Sequence, residues 1–285
     1  MATRRPAHNN KQQSSPIKTA YLVSYNLASA LAWSYVLSLV VRHVSVQPNA
    51  TYETVKETFN VQNAFETALE RASTAFDHFG DTVKWVQTAA ILEAVHSATR
   101  IVRSPLGTTV AQIASRLLIV WYICIVFPQV PKTPVYVSMV TAWSFAEIIR
   151  YLHYVTSLLS IKVSILEWIR YTAFYILYPV GAGSEATLIY FSARYAREKF
   201  GPVGYFATIG LTAFWPPALA FMMSHMHAQR RKHVGKRRVV VENTRTTPVK
   251  GTRREITSKL VPDAIIENTA SATPARSTRS RAKAQ

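Results

Sequence analysis

The chain is dominated by a succession of apolar runs of similar length, each ended by polar or proline-containing residues. A helix rises about 1.5 Å per residue, so about 20 residues cross a hydrocarbon layer roughly 30 Å thick. Six stretches reach or approach that length: about 21–41, 83–98, 108–127, 135–155, 168–191 and 203–223. A bilayer offers the backbone no water, so runs of this kind are read as membrane-spanning helices. The expectation is an all-α polytopic membrane protein, a bundle of six transmembrane helices over 20–228. The run 21–41 is long and shows no small-residue cleavage site, so it reads as a retained span and not a cleaved signal.

Charge is segregated from these runs. The chain carries 33 Lys and Arg against 15 Asp and Glu, a net charge of +18. Residues 1–19 hold four basic residues and no acid, and 226–285 hold fifteen basic residues against four acidic ones. Both tails are expected to be disordered, the basic C-terminal one from 229, because they cannot bury enough apolar surface to offset ordering. The positive-inside rule puts both termini in the cytoplasm and the acidic 42–82 loop in the lumen, with the 192–202 turn (Arg194, Arg197, Lys199) running against the rule. The run HAQRRKHVGKRR at 227–238 reads as a stop for the last span, drawn to anionic lipid, and no nucleic acid is expected as a partner. Within 42–82, Val55, Phe59, Phe65, Leu69, Phe76 and Phe79, with Ala68 and Ala72, approximate a helical stripe. Two readings fit it: an amphipathic helix on the membrane surface or capping the bundle, and an ordinary packed helix. Asn49-Ala50-Thr51 has the form of a glycosylation acceptor.

Composition removes several chemistries. A single cysteine, Cys124, allows neither an intrachain disulfide nor a multi-cysteine metal site. No GxxxxGK[ST] or GxGxxG loop is present to cradle phosphates. His225 and His227 alone are a poor substitute for the clustered histidine boxes of a di-iron enzyme. No metal and no cofactor are expected.

What remains is an unusual number of ionisable groups inside apolar runs, where each costs roughly 2.5–3.5 kcal/mol on insertion scales. Glu93 and His96 fall in the second run, Arg116 in the third, Glu147, Arg150 and His153 in the fourth, and Tyr178 and Glu185 in the fifth. Glu147, Arg150, Tyr151 and Tyr154 recur at three or four residues and share a stripe on which Glu147 and Arg150 can pair. Glu93, His96 and Arg100 have the same spacing. Such groups either hold helices in register as ion pairs or act directly on a substrate. The fifth run contains YPVGAGSE at 178–185. Pro179 removes a backbone donor, and Gly181 and Gly183 weaken the helix further. If the segment stays helical, the seven-residue interval returns Tyr178 and Glu185 to one face, about 10 Å apart along the axis.

Four separated motifs carry a resemblance. They are YNLASALAWSYVL from Tyr25, LEAVHSATRIVRSPLGTTVAQIASRLLIVW from Leu92, AWSFAEIIRYLHY from Ala142 and RYTAFYILYPVGAGSE from Arg170. In this order they resemble the very-long-chain 3-hydroxyacyl-CoA dehydratases of the endoplasmic reticulum, also called protein tyrosine phosphatase-like proteins. HSATR departs from the HS..G form of the second motif. The resemblance implies a multi-pass endoplasmic-reticulum enzyme that dehydrates 3-hydroxyacyl-CoA to trans-2-enoyl-CoA, the third step of fatty-acid elongation. Its partners would be the condensing enzyme, ketoreductase and enoyl reductase of that cycle. It also implies a catalytic Tyr and Glu in YP.G..SE, which fall on Tyr178 and Glu185. Dehydration needs a base for the C2 proton and an acid for the C3 hydroxyl; Glu185 as base and Tyr178 as acid fits, and so does the reverse.

Arg103, Arg116, Glu147, Arg150, Tyr151 and Arg170 are the candidate substrate-binding residues. Among them Arg103 and Arg170, with Lys162, stand where CoA phosphates would meet the cytoplasmic rim, although snorkelling to the interface explains such cations equally. The phosphatase of the family's older name would need a thiolate in an HCx5R loop, and Cys124 has Ile123 before it and Val130 six residues after it. A catalytically inactive scaffold of the elongase complex is the alternative, against which stands the retention of both Tyr178 and Glu185.

Overall fold

The computed structural model describes residues 15–45, 61–102, 104 and 106–246. The N-terminal tail up to 14, Asn49-Ala50-Thr51, Val55, Phe59, Arg103 and the tail beyond 246 lie outside the described residues. All regular secondary structure among the described residues is helical. Helix α1 is Pro16–Ser45, α2 Val61–Thr88, α3 Ile91–Ala98 and α4 Leu106–Leu117. Helix α4 runs on through π-helical turns at Leu118–Ile123 into Cys124–Val126. Helix α5 is Pro134–Leu158, α6 Ser164–Arg170 and α7 Phe174–Thr246. The bundle belongs to a unit that ends at His233, and residues 234–246 belong to a second one. The sequence placed the start of the C-terminal tail at 229, and α7 carries helix on to Thr246.

Buried residues of α1 recur at helical spacing: Leu22, Asn26, Ala30, Trp33, Val36 and Val40. This stripe faces α5 and α2. The buried amide of Asn26 is satisfied within its own helix, donating to the Leu22 carbonyl at 2.6 Å. The opposite face exposes Leu27, Leu31 and Tyr35, as a lipid-facing surface would.

In helix α2 the later part of the amphipathic stripe is packed against the bundle. Ala72, Ala75, Phe79 and Val83 are buried, and Phe76 meets Tyr136 of α5 edge-on at 5.3 Å. Phe65 and Leu69, nearer its start, remain exposed. The same stripe carries α2 past residue 83 to Thr88. The stretch 83–98, expected as one span, is therefore divided between the end of α2 and the short α3, with a turn at Ala89 and Ala90. Residue 83 is where composition turns apolar, not where a helix begins.

Helix α5 is the centre of the bundle, with Tyr136, Met139, Val140, Trp143, Glu147 and Tyr151 all buried. It starts at Pro134, after the extended Thr133 (φ −141°, ψ 152°), a position where a proline loses no helical hydrogen bond. Its polar residues leave it outside the set of helices long and apolar enough to cross a membrane. Among the described residues that set is Pro16–Ser45, Leu106–Val126 and Phe174–Ala228.

Helix α7 remains continuous through 178–185 despite Pro179, Gly181 and Gly183, because α5 supports it from outside. Gly181 lies flush against α5, where a Cβ would stand 3.7 Å from that of Ala142. One turn later the hydroxyls of Ser184 and Ser138 bond across the interface at 2.7 Å. The break comes at Gly201, whose φ of 71° and ψ of −162° divide α7 into an arm at 174–200 and an arm at 202–246. That backbone region is open essentially to glycine alone. Gly204 admits no side chain, since a Cβ there would lie 2.6 Å from the Ala196 carbonyl oxygen. Replacing Gly201 by Ala should cost about 1–3 kcal/mol, read as a lowered midpoint of thermal unfolding in detergent, and Gly204→Ala should be destabilising in the same assay.

Candidate active site

Glu185 lies on the first arm of α7 and is buried. Each of its carboxylate oxygens accepts one indole hydrogen bond. Trp143 Nε1 of α5 donates to Oε1 at 2.7 Å, and Trp215 Nε1 of the second arm of α7 donates to Oε2 at 2.9 Å. Tyr178 stands seven residues earlier on the same uninterrupted helix, about 10 Å along the axis and on the same side. It is half-buried, with Phe174 edge-on to its ring at 6.2 Å. The charges of Arg116, Arg170, Glu147 and Arg150 act on Tyr178, and that of Arg116 acts on Glu185 as well.

Beside this pair runs a chain of ion pairs. Arg116 of α4 bonds Glu147 of α5. Arg150, one turn beyond Glu147, donates to it through Nε at 2.8 Å. The two terminal nitrogens of Arg150 reach Glu93 of α3 at 2.5 and 2.7 Å, a bidentate pairing, and the Tyr151 hydroxyl also donates to Glu93. The four ionised groups cancel. Aromatic contacts extend the chain. The Arg116 guanidinium lies 5.1 Å over the Trp143 ring, and that of Arg150 lies 4.4 Å over Tyr151. On the α1 side the Tyr21 hydroxyl and His96 Nε2 are 2.8 Å apart, and Tyr25 meets His96 edge-on at 4.8 Å.

Of the candidate substrate-binding residues, Arg116, Glu147, Arg150 and Tyr151 come together in this network. Arg170 makes no ion pair with it and borders it through Tyr154, whose ring lies 5.3 Å from the Arg170 guanidinium and 5.8 Å from that of Arg150. Arg103 lies outside the described residues. Glu93 and His96 both face the bundle, whereas Arg100 does not share their face. Helix α3 ends at Ala98, and Arg100 is exposed with φ 56°.

Sequence reasoning passed over Trp143 and Trp215. Trp143 precedes Glu147 by four residues and so extends the stripe formed by Glu147, Arg150 and Tyr151, a signal that was present. Trp215 carries no such signal, because it reaches Glu185 only through the bend at Gly201. It also passed over a group one turn before Tyr178, where the Tyr175 hydroxyl meets His227 Nδ1 at 2.8 Å and Arg230 lies 5.1 Å over the Tyr175 ring.

Residues 87–236, which hold Glu93, the α4–α5 ion pairs, Tyr178, Glu185 and both indoles, match the family described as "Protein tyrosine phosphatase-like protein, PTPLA". The chain belongs to this family. Among its relatives is the "Probable very-long-chain (3R)-3-hydroxyacyl-CoA dehydratase" of Schizosaccharomyces pombe, 36% identical over 217 residues that cover 76% of this chain and 93% of the relative. The "Very-long-chain (3R)-3-hydroxyacyl-CoA dehydratase PASTICCINO 2" of Arabidopsis thaliana is 32% identical, over 78% of this chain and 96% of its own length. The human "Very-long-chain (3R)-3-hydroxyacyl-CoA dehydratase 2" is 31% identical, over 64% of this chain and 63% of its own. No solved structure matches the chain.

Removing one member of the ion-pair chain leaves a buried charge uncompensated. Glu147→Gln should cost about 3–5 kcal/mol, measured as a fall in the unfolding midpoint in detergent. The double variant Arg116→Gln/Glu147→Gln removes a balanced pair and should recover most of that loss.

Proposed function

We propose that this chain is a hydro-lyase that converts very-long-chain (3R)-3-hydroxyacyl-CoA to trans-2-enoyl-CoA, the dehydration step of fatty-acid elongation. The observation that carries the reading is the family relationship. The chain aligns over most of its length, and over nearly all of the fission-yeast and Arabidopsis proteins, with relatives that bear this name.

The chemistry suits the side chains of α7. The thioester acidifies the C2–H bond, so a carboxylate can remove that proton as the electron pair of C2–H becomes the C2=C3 double bond and the C3–O bond breaks. The departing hydroxyl takes a proton and leaves as water. Tyr178 and Glu185 are the acid–base pair. They are offset along one helix, which suits a substrate threaded beside it with its thioester entering from the cytoplasmic rim and its acyl chain running along apolar surface. The proton gained by the base and the one lost by the acid re-equilibrate through solvent when water departs. Arg103 and Arg170 serve the CoA phosphates, while Arg116, Glu147, Arg150 and Tyr151 shape the polar wall beside the reacting carbons.

The same reading places the protein in the endoplasmic reticulum membrane with six spans over 20–228. The basic tails, 1–19 and 229–285, are cytoplasmic and the 42–82 segment is lumenal, as the distribution of Lys and Arg favours. The condensing enzyme, the ketoreductase that supplies the 3-hydroxy substrate and the reductase that consumes the enoyl product are its partners.

The test is an assay of membranes bearing the wild type, Tyr178→Phe or Glu185→Gln with a long-chain 3-hydroxyacyl-CoA. Each variant should lose about 10²- to 10⁴-fold in kcat with little change in KM. A wild type that forms no enoyl product would overturn the function, and variants that match the wild type would overturn the site.

A further inference from the structure

We infer that Trp143 and Trp215 are positioning residues that hold Glu185 as an ionised carboxylate, which makes Glu185 the base of the reaction and Tyr178 the acid. The inference rests on the dehydratase reading for its chemistry and on the two indole contacts for its geometry.

An indole N–H donates and has no lone pair to accept with. Both oxygens of Glu185 therefore face donor-only partners, which suits an ionised carboxylate, itself acceptor-only. Hydrogen bonds to a charged acceptor are also the stronger kind. A neutral carboxyl would accept from both indoles more weakly, and neither indole could receive its proton.

The donors come from different places, Trp143 from the central helix α5 and Trp215 from the arm of α7 beyond Gly201. Two bonds from two directions fix the rotation of the carboxylate as well as its position. Trp143 is 2% exposed, Trp215 8% and Glu185 9%, so the rings also exclude water from the side of the carboxylate they cover.

The most telling feature is what does not touch Glu185. Arg116 is near enough for its charge to act on it, but its hydrogen-bonded partner is Glu147. Its guanidinium lies 5.1 Å over the ring of Trp143, the residue whose N–H holds Glu185. A direct guanidinium–carboxylate pair would commit the carboxylate's lone pairs to a cation and quench it as a proton acceptor. Neutral indole donors orient the group and leave its charge available. Glu147 thus has a part in the site, keeping Arg116 engaged elsewhere.

The experiment is a double-mutant cycle in membranes with a long-chain 3-hydroxyacyl-CoA. Trp143→Phe and Trp215→Phe keep an aromatic ring and delete the donor. Each should lower kcat by about 10- to 100-fold, the worth of a hydrogen bond to a charged group, with KM unchanged. In the Glu185→Gln background neither should lower kcat further, because the residue they act through is already gone. Losses that multiply in that background, or single variants with wild-type kcat, would overturn the inference. The assignment of acid and base is read with a 3-chloroacyl-CoA, whose leaving group needs no proton. Tyr178→Phe should regain elimination with this analogue and Glu185→Gln should not, and the opposite pattern would overturn the assignment. If the wild type dehydrates nothing, the dehydratase reading fails by itself. The clamp is then judged by ultraviolet resonance Raman of the purified protein, in which Glu185→Gln should shift the indole N–H marker band assigned by the difference from Trp215→Phe. An unshifted band would overturn the clamp too.

Discussion

Charge withdrawn from water is the constraint around which this bundle is organised. Glu93, Glu147, Arg116 and Arg150 are all at least four-fifths buried, and in a low-dielectric surrounding each alone would oppose folding. Arranged as a continuous chain they cancel, and the cancellation dictates where three helices meet. Helix α3 is only eight residues long, and the bidentate Arg150–Glu93 contact anchors it to α5. Helix α4 is fastened to α5 by Arg116 immediately before its π-helical turns, a local unwinding that keeps Ile119, Val120 and Ile123 all directed inward.

The helix that carries Tyr178 and Glu185 is fastened differently. Among the described residues no ion pair joins it to this network; its ties to α5 include a hydroxyl pair, a flush glycine and the indole N–H of Trp143, while Trp215 joins its own two arms. Charge–charge contacts hold the scaffold, and uncharged donors hold the carboxylate that reacts in the proposed chemistry. A group meant to exchange a proton must be positioned without being neutralised. Arg116 links the two regimes, since it is paired with Glu147 yet rests on the ring that holds Glu185.

Much of this was legible in the sequence, and the exceptions have physical reasons. The helical class, the pairing of Glu147 with Arg150 and the common side of Tyr178 and Glu185 follow from three- and four-residue spacing, which is local information. Helix limits were less legible where amphipathic and apolar patterns overlap, so that α2 overran residue 83 and the fifth apolar run became α6 followed by α7. Pro179 was read as a weak point because the support of α5 at Gly181 and Ser184 is tertiary. Arg100 was placed with Glu93 and His96 by spacing, but spacing does not show that α3 has already ended. Trp215 was out of reach altogether, because its role depends on a backbone reversal at one glycine.

That reversal also sets an order of events in synthesis. Glu185 and Trp215 are thirty residues apart in sequence, and the second indole is translated well after the carboxylate it serves. Until the chain has passed Gly201 and folded back, Glu185 has at most the donor from α5, and its other oxygen must remain with water or lipid headgroups. The surroundings of this carboxylate are thus completed late, when nearly the whole bundle has been made, and a nascent chain stalled before residue 215 would leave them unfinished however well its earlier helices had packed.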